Sequence, residues 1–289
     1  MDAFLHQVFS GLAAGGIYAS VALALVMIYQ ATHLVNFAQG EMAMFATYIA
    51  WALIESGFPY WTAFGLTVLI ALAGGILIQR FIIRPVSNAS VLTVVVVFIG
   101  MLAIFNAVAG WVFSHTVKSF PSPFPSKSVL GGLLSAHELG AMGITLVVLI
   151  VLYAFFKWTP LGLAMRAAAL NPVSSRLCGV RVGWMLAFGW GFAAAIGAIA
   201  GMMVAPIVYL DPNMMSGILL YGFASALLGG ITNPWGAVAG GFIVGVLENV
   251  LGAYVIGTEL KLTVALVIIV AVLTVKPSGL FGKVLVTRV

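Results

Sequence analysis

The chain has 289 residues, of which 63% are hydrophobic and only 7% charged, and its mean hydropathy is +1.20. Soluble domains carry roughly 25% charged residues, so a soluble fold is excluded and the expected class is all-α, a polytopic transmembrane helical bundle. The net charge of +5 implies no nucleic acid, because in such a chain charges sit in loops and follow membrane orientation.

Apolar runs of about 20 residues suit membrane helices. They fall at 8 to 30, 37 to 55, 61 to 83, 90 to 113, 138 to 157, 184 to 208, 215 to 232, 236 to 256 and 260 to 276, which makes 8–9 spans because the runs at 37 to 55 and 215 to 232 are open to a re-entrant reading. The residues before the first run, MDAFLHQ, lack a basic n-region, so the first run is expected to be a retained span. With the N-terminus outside and the C-terminus inside, Arg80, Arg84, Lys157, Arg166, Arg176, Arg181, Lys276, Lys283 and Arg288 fall in the cytoplasm, and only Lys118, Lys127 and Lys261 fall outside. Positive charge favours the cytoplasmic face, so this orientation is expected.

The loop at 114 to 137 holds prolines 121, 123 and 125 and reads as extended, turn-rich and external. It is too short for a solute-binding domain, so any external receptor is another polypeptide. No GxxxxGK[ST] phosphate loop occurs, the nearest approach being GLFGKV at 279 to 284. If ATP drives the protein, a partner hydrolyses it.

Residues 157 to 183 form the longest polar interruption, with Lys157, Arg166, Arg176 and Arg181 and no acid. Thr159 before Pro160 and Asn171 before Pro172 are N-cap residues followed by proline at the first helical position, which predicts two short helices. Gly179 stops the second. The hairpin reads either as a docking handle or as an ordinary interfacial loop.

Small residues recur at close-packing spacing in Gly11 and Gly15, Gly197 and Gly201, Gly236 and Gly240, and Gly241 and Gly245. The turn at Thr232, Asn233, Pro234 and Trp235 predicts a closely packed helical hairpin or a broken helix. Within the spans, Glu41 and Glu248 are costly in lipid and so are expected to face the bundle interior or water. Asn36 and Gln39 join Glu41 at the start of a span, where both interfacial and functional readings stand. Asn249 lies beside Glu248. Asn106 interrupts the fourth span as an expected interhelical hydrogen-bonding residue. Tyr18 and Tyr221 could line a path or simply pack. Together Tyr18, Asn36, Gln39, Glu41, Asn106, Tyr221, Glu248 and Asn249 are the translocation-path candidates. Cys178 is the one cysteine, so no intramolecular disulfide forms, and no Cys/His cluster has metal-ligand spacing. His6, His33, His115 and His137 are scattered, and neither HExxH nor GxSxG occurs. No catalytic residue is assigned, and the chain is expected not to be an enzyme.

Residues 11 to 48, GLAAGGIYASVALALVMIYQATHLVNFAQGEMAMFATY, resemble the opening of the permease subunits of ABC importers for branched-chain amino acids, the LivH/LivM family, on its LivH branch. Gly11, Gly15, Tyr18, Ala19, Ala22, Tyr29, Asn36, Phe37, Ala38, Gly40 and Glu41 carry the match. FASALLGGITNPWGAVAGGFIVGVLEN at 223 to 249 is similar to the family's glycine-rich block, and TPLGLAMRAAALNPVSSRLCGV looks like its ATPase-docking loop. Gln39 stands where histidine is common, Gln30 where glycine is common, and Ser174-Ser175 where the docking loop usually carries an acid and alanine.

The resemblance implies a single permease domain over 1 to 289. It also implies a second homologous permease or a second copy of this chain, two cytoplasmic ATPase subunits carrying ATP and Mg, and a soluble binding protein, in a bacterial or archaeal plasma membrane. No cofactor on this chain is implied. Docking would fall to Arg166, Ala168, Asn171, Pro172, Ser174, Ser175 and Gly179. The expected cargo is a branched-chain or related small amino acid, with urea or short amides as the runner-up. An ion-coupled secondary transporter using Glu41 or Glu248, or a membrane scaffold, are the readings from other classes.

Overall fold

The computed structural model describes residues 2–32, 35–87, 89–125, 128–129 and 134–282. Lys127, Lys283, Arg288 and His33, which bear on the orientation and histidine readings above, lie outside the described residues, as do residues 130–133 of the proline-rich loop.

Each apolar run lies on a helix. In chain order they are α1 (Asp2–Thr32), α2 (Gln39–Glu55), α3 (Tyr60–Ile78), α4 (Arg84–Val86), α5 (Val91–Phe113), α6 (Ala136–Trp158), α7 (Pro160–Leu170), α8 (Pro172–Leu177), α9 (Val182–Val208), α10 (Met214–Gly229), α11 (Pro234–Leu251) and α12 (Lys261–Val275). A π-helical turn, Gln79–Ile83, joins α3 to α4, and another, Gly252–Ile256, extends α11. Six helical stretches are long and apolar enough to cross a membrane: Ala3–Gln30, Tyr60–Val86, Val91–Phe113, Ala136–Trp158, Val182–Val208 and Pro234–Ile256. The other three apolar runs are shorter helices, α2 with 17 residues, α10 with 16 and α12 with 15. The chain is therefore a multi-pass, helical membrane protein. Its only described strands form a small antiparallel pair, β1 (Ser128–Val129) with β2 (Leu134–Ser135), inside the loop expected to be merely extended.

The chain divides into two compact units, one of residues 1–26, 124–145 and 217–289, the other of 27–123 and 146–216. In the first unit, α1 and α11 lie backbone against backbone. A methyl group added at Gly15 would come 2.9 Å from Cα of Phe242, and one at Gly11 would come 2.8 Å from Cα of Val246. Gly241 and Gly245 answer from the other helix, where added methyls would meet Ala19 and Gly15. The two spaced pairs read from the sequence are thus the two halves of one contact. The expected α10–α11 hairpin forms as well. Gly240 lies against the Ser225 carbonyl and Gly229, Gly230 turns at φ +109°, and Asn233 caps α11 through the Trp235 amide at 3.1 Å. Segment 278–282 then returns to this turn. The amides of Leu280 and Phe281 bond the carbonyls of Leu228 and Gly229 at 2.7 and 3.1 Å, satisfying acceptors that a helix C-terminus leaves free.

In the second unit, α9 is the common element, packed on α2, α3 and α7. Methyl groups at Gly75 of α3 and Gly191 of α9 would come 2.5 Å from the Trp190 carbonyl oxygen and 2.8 Å from the Leu72 carbonyl oxygen. Neither has a second glycine four residues away, the pairing that marked the other contacts. On α2, the Gln39 Nε2 donates to the Ala193 carbonyl at 3.0 Å, alongside Gly197, and Gly201 faces Thr47. At the far end of α9, Leu210 and Lys118 exchange two backbone hydrogen bonds of 2.9 Å, tying the ends of α5 and α9.

Candidate functional site

The hairpin between α6 and α9 is built from local signals. Thr159 Oγ1 accepts from the Gly162 amide at 3.0 Å, and Asn171 Oδ1 accepts from the Ser174 amide at 3.0 Å, each with proline at the first helical position. Gly179 sits at φ +79°, with its amide on the Arg176 carbonyl at 3.0 Å and the Val180 amide on the Ser175 carbonyl at 2.9 Å. That paired 5→2 and 6→1 closure is the Schellman motif. Gly162 was not singled out from the sequence. A side chain there would strike the backbone of Phe155 and Phe156, so glycine is what lets α7 fold tightly off α6.

One face of α7 is buried through Gly162, Met165 and Ala168, with Met165 against Gly189 of α9. The other face is uncovered. Leu170 is 87% exposed and Leu177 of α8 is 86% exposed, with Leu163 and Val173 also open and Arg166 beside them. Of the residues expected to dock, Arg166, Asn171, Pro172, Ser174 and Gly179 lie on the surface. Ala168 and Ser175 are buried, so they hold the hairpin's shape and do not present themselves to a partner.

The path candidates separate into two clusters. In the first unit, Tyr18 donates to Glu248 Oε2 at 2.8 Å and stacks on Tyr221 at a centroid distance of 4.7 Å. Lys261 Nζ reaches Asn249 Oδ1 at 2.9 Å and Glu248 Oε1 at 3.8 Å. Lys261 was counted from the sequence only as an external charge. It turns back onto α11 because Gly252 leaves room for its stem, whose Cγ lies 2.7 Å from where a methyl on Gly252 would be. Glu248 is thus buried with a cation and a phenol hydroxyl beside it.

In the second unit, Asn36 and Gln39 open α2. Asn36 Oδ1 takes the Ala38 amide at 3.0 Å, while Gln39 bonds α9. Glu41 is met by Asn106 Nδ2 at 3.5 Å, and the same nitrogen donates to the Pro212 carbonyl at 2.9 Å and to Asn213 Oδ1 at 3.1 Å. Asn106 therefore ties α5 to α2 through Glu41, the interhelical bond its position predicted, and also to the turn before α10. The 211–213 turn carries no periodic signal that would show its contact with Asn106 from the sequence.

The family model described as branched-chain amino acid transport system / permease component matches residues 7–273. The high-affinity branched-chain amino acid transport system permease protein LivH of Escherichia coli is 28% identical, over 97% of this chain and 96% of its own. The corresponding permease BraD of Pseudomonas aeruginosa is 29% identical with the same two coverages. A probable branched-chain amino acid transport permease LivH of Methanocaldococcus jannaschii is 27% identical over 91% of this chain and 87% of its own. Among solved structures, PsaBC from Streptococcus pneumoniae in complex with Fab shares the fold at a TM-score of 0.52 and 12% identity, covering 93% of this chain and 91% of that one. A match running through nearly all of the helices described above leaves one assignment: the chain belongs to the permease-component family of branched-chain amino acid transport systems.

Proposed function

We propose that this chain is the membrane permease of an ATP-driven importer for branched-chain or related small amino acids, and that the 157–183 hairpin is where a separate ATPase subunit docks. The observation that carries the docking role is the uncovered apolar face of a hairpin stiffened at three caps, with Leu170 and Leu177 each more than four-fifths exposed. Exposed apolar patches on otherwise polar segments mark protein interaction sites. Two ATPases, a second permease or a second copy of this chain, and an external binding protein complete the assembly. The chain itself supplies no catalytic group, and ATP and Mg belong to the ATPases.

The mechanical route runs within the second unit. Movement of the hairpin passes to α9 through Met165 and Gly189, then to α3 at Gly75 and Gly191 and to α2 at Gln39 and Gly197. These contacts are backbone against backbone or one short hydrogen bond, so little motion is lost in side-chain flexing. Rocking of rigid elements about a central site is a general form of alternating access.

Nine crossings with the N-terminus outside and the C-terminus inside fit this reading. Support comes from Arg80, Arg84, Arg176 and Arg181, which gather around one hollow, while Lys118 sits at the opposite end of α9. Coupling to an ion gradient through Glu248 is disfavoured because Lys261 and Tyr18 already compensate that carboxylate. Uptake by proteoliposomes decides between the readings. ATP-dependent uptake requiring the ATPase and binding protein supports the importer, and uptake by the chain alone under a proton or sodium gradient refutes it.

A further inference from the structure

Four guanidiniums on three separate segments converge at one end of the second unit. Arg80 lies in the π-turn after α3, Arg84 opens α4, Arg176 lies in the last turn of α8, and Arg181 precedes α9. They line a hollow of about 380 Å³ together with Val180 and Trp184. Among the described residues none of the four has a carboxylate within ion-pair distance, since the ion pair present is Lys261 with Glu248. Each guanidinium offers five N–H donors, and none of these is committed to a hydrogen bond among the described residues. Arg80 lies over the Trp184 ring at 4.7 Å, which fixes one wall of the hollow.

Two features decide what such a site takes. A second hollow of about 420 Å³ adjoins the first, sharing Val180, Arg181 and Trp184, and it is lined on its other side by the apolar Ala164, Met185 and Phe188. The combined site is thus amphipathic, with cations at one end and hydrocarbon at the other. The helix that delivers Arg80 also shows bare hydrocarbon beside it, with Leu77, Phe81 and Ile82 all exposed. Tryptophan and arginine at the end of an apolar span mark headgroup depth. A bare acidic protein surface would use the arginines but not the apolar half.

We propose that Arg80, Arg84, Arg176 and Arg181 form a binding site for the phosphate of an anionic phospholipid, whose acyl region enters the groove between α7 and the start of α9. A lipid held there touches the hairpin and the end of α3 together, so its binding joins the docking element to the span that α9 carries. This site requires membrane embedding and does not depend on the cargo.

The test uses the full-length chain in nanodiscs of four parts phosphatidylcholine to one part phosphatidylglycerol. The readout is the motionally restricted fraction of spin-labelled phosphatidylglycerol relative to spin-labelled phosphatidylcholine. A basic side chain near the surface is worth roughly fivefold in anionic-lipid preference. Arg80→Gln/Arg84→Gln should therefore weaken this one site's preference by about an order of magnitude or more and lower the shell-averaged ratio to that of the remaining boundary lipids, while Arg80→Lys/Arg84→Lys keeps most of it and Lys118→Gln, at the other end, leaves it unchanged. The unaltered protein should also lose preference as salt rises, which holds the proposal to account if the glutamine variant misfolds. Inorganic phosphate at matched ionic strength should not displace the lipid. A ratio indifferent to the arginines or to salt, displacement by free phosphate, or loss of ATPase co-purification with the lipid ratio intact would each overturn the assignment.

Discussion

Tyr18 donates a hydrogen bond from its hydroxyl to Glu248 Oε2 across 230 positions of sequence, at 2.8 Å. Helical side chains lean toward their own N-termini, and α1 and α11 run antiparallel, with Gly11 beside Val246 and Gly15 beside Phe242. The two side chains therefore lean toward each other along the glycine contact, which brings α1 and α11 close enough for the bond.

Removing one partner from a compensated buried charge costs more than removing both. Lys261→Met should lower stability by about 1–3 kcal/mol, a range reduced because the lysine is partly exposed. Glu248→Gln/Lys261→Met should recover most of that loss. Thermal unfolding in one detergent compares the unaltered protein, Glu248→Gln, Lys261→Met and the double variant, and additive losses in the double variant would mean that the pair does not interact.

Adjacent glycines on α3 should respond with opposite signs. At Gly75 an added methyl meets α9, so Gly75→Ala should cost about 1–3 kcal/mol through overpacking. At Gly74 nothing lies within 4 Å, so Gly74→Ala should gain about 0.5–1 kcal/mol from helix propensity. Unfolding midpoints read both, and equal shifts at the two positions would contradict the α3–α9 contact.

The caps act locally. Thr159→Ala and Asn171→Ala should each cost about 1 kcal/mol of hairpin stability. Amide exchange is expected to quicken across 160–177 with little change in α9. Protection unchanged in the hairpin would mean that the α9 contacts alone hold it.

Cys178 is exposed at the end of α8 and is the chain's one thiol. An impermeant maleimide should fail to label it in intact cells and should label it in inside-out vesicles. Labelling in intact cells would reverse the orientation.

How much of this was legible follows from the range of each signal. Thr159, Asn171 and Gly179 act on neighbours three residues away or fewer, so sequence alone placed both short helices. The paired glycines of α1 and α11 showed that each helix has a face suited to close approach. Spacing says nothing of the partner, so that Gly11 and Gly15 meet Gly241 and Gly245 needed the structure. Gly75 and Gly191 were missed because their four-residue partners are alanines, Ala71 for the first and Ala187 and Ala195 for the second, a weaker mark of close approach than a glycine pair. Lys261 entered the sequence reading only as an external charge, and charge counting does not register that Gly252 clears a path for it back to Glu248. The polar residues of the spans were found by their cost in lipid, but their division into a Tyr18–Glu248 cluster and an Asn106–Glu41 cluster depends on contacts more than 60 positions apart.

The docking role of the hairpin is tested most directly by substrate-stimulated ATP hydrolysis in the assembled complex. Leu170→Asp/Leu177→Asp alters only exposed side chains, so insertion and folding should survive. Stimulated hydrolysis should fall at least about tenfold, as the loss of two buried apolar anchors at roughly 1.5–3 kcal/mol each requires, and ATPase co-purification should fall with it. Full stimulation in this variant, and in one lacking residues 160–179, would contradict the docking role.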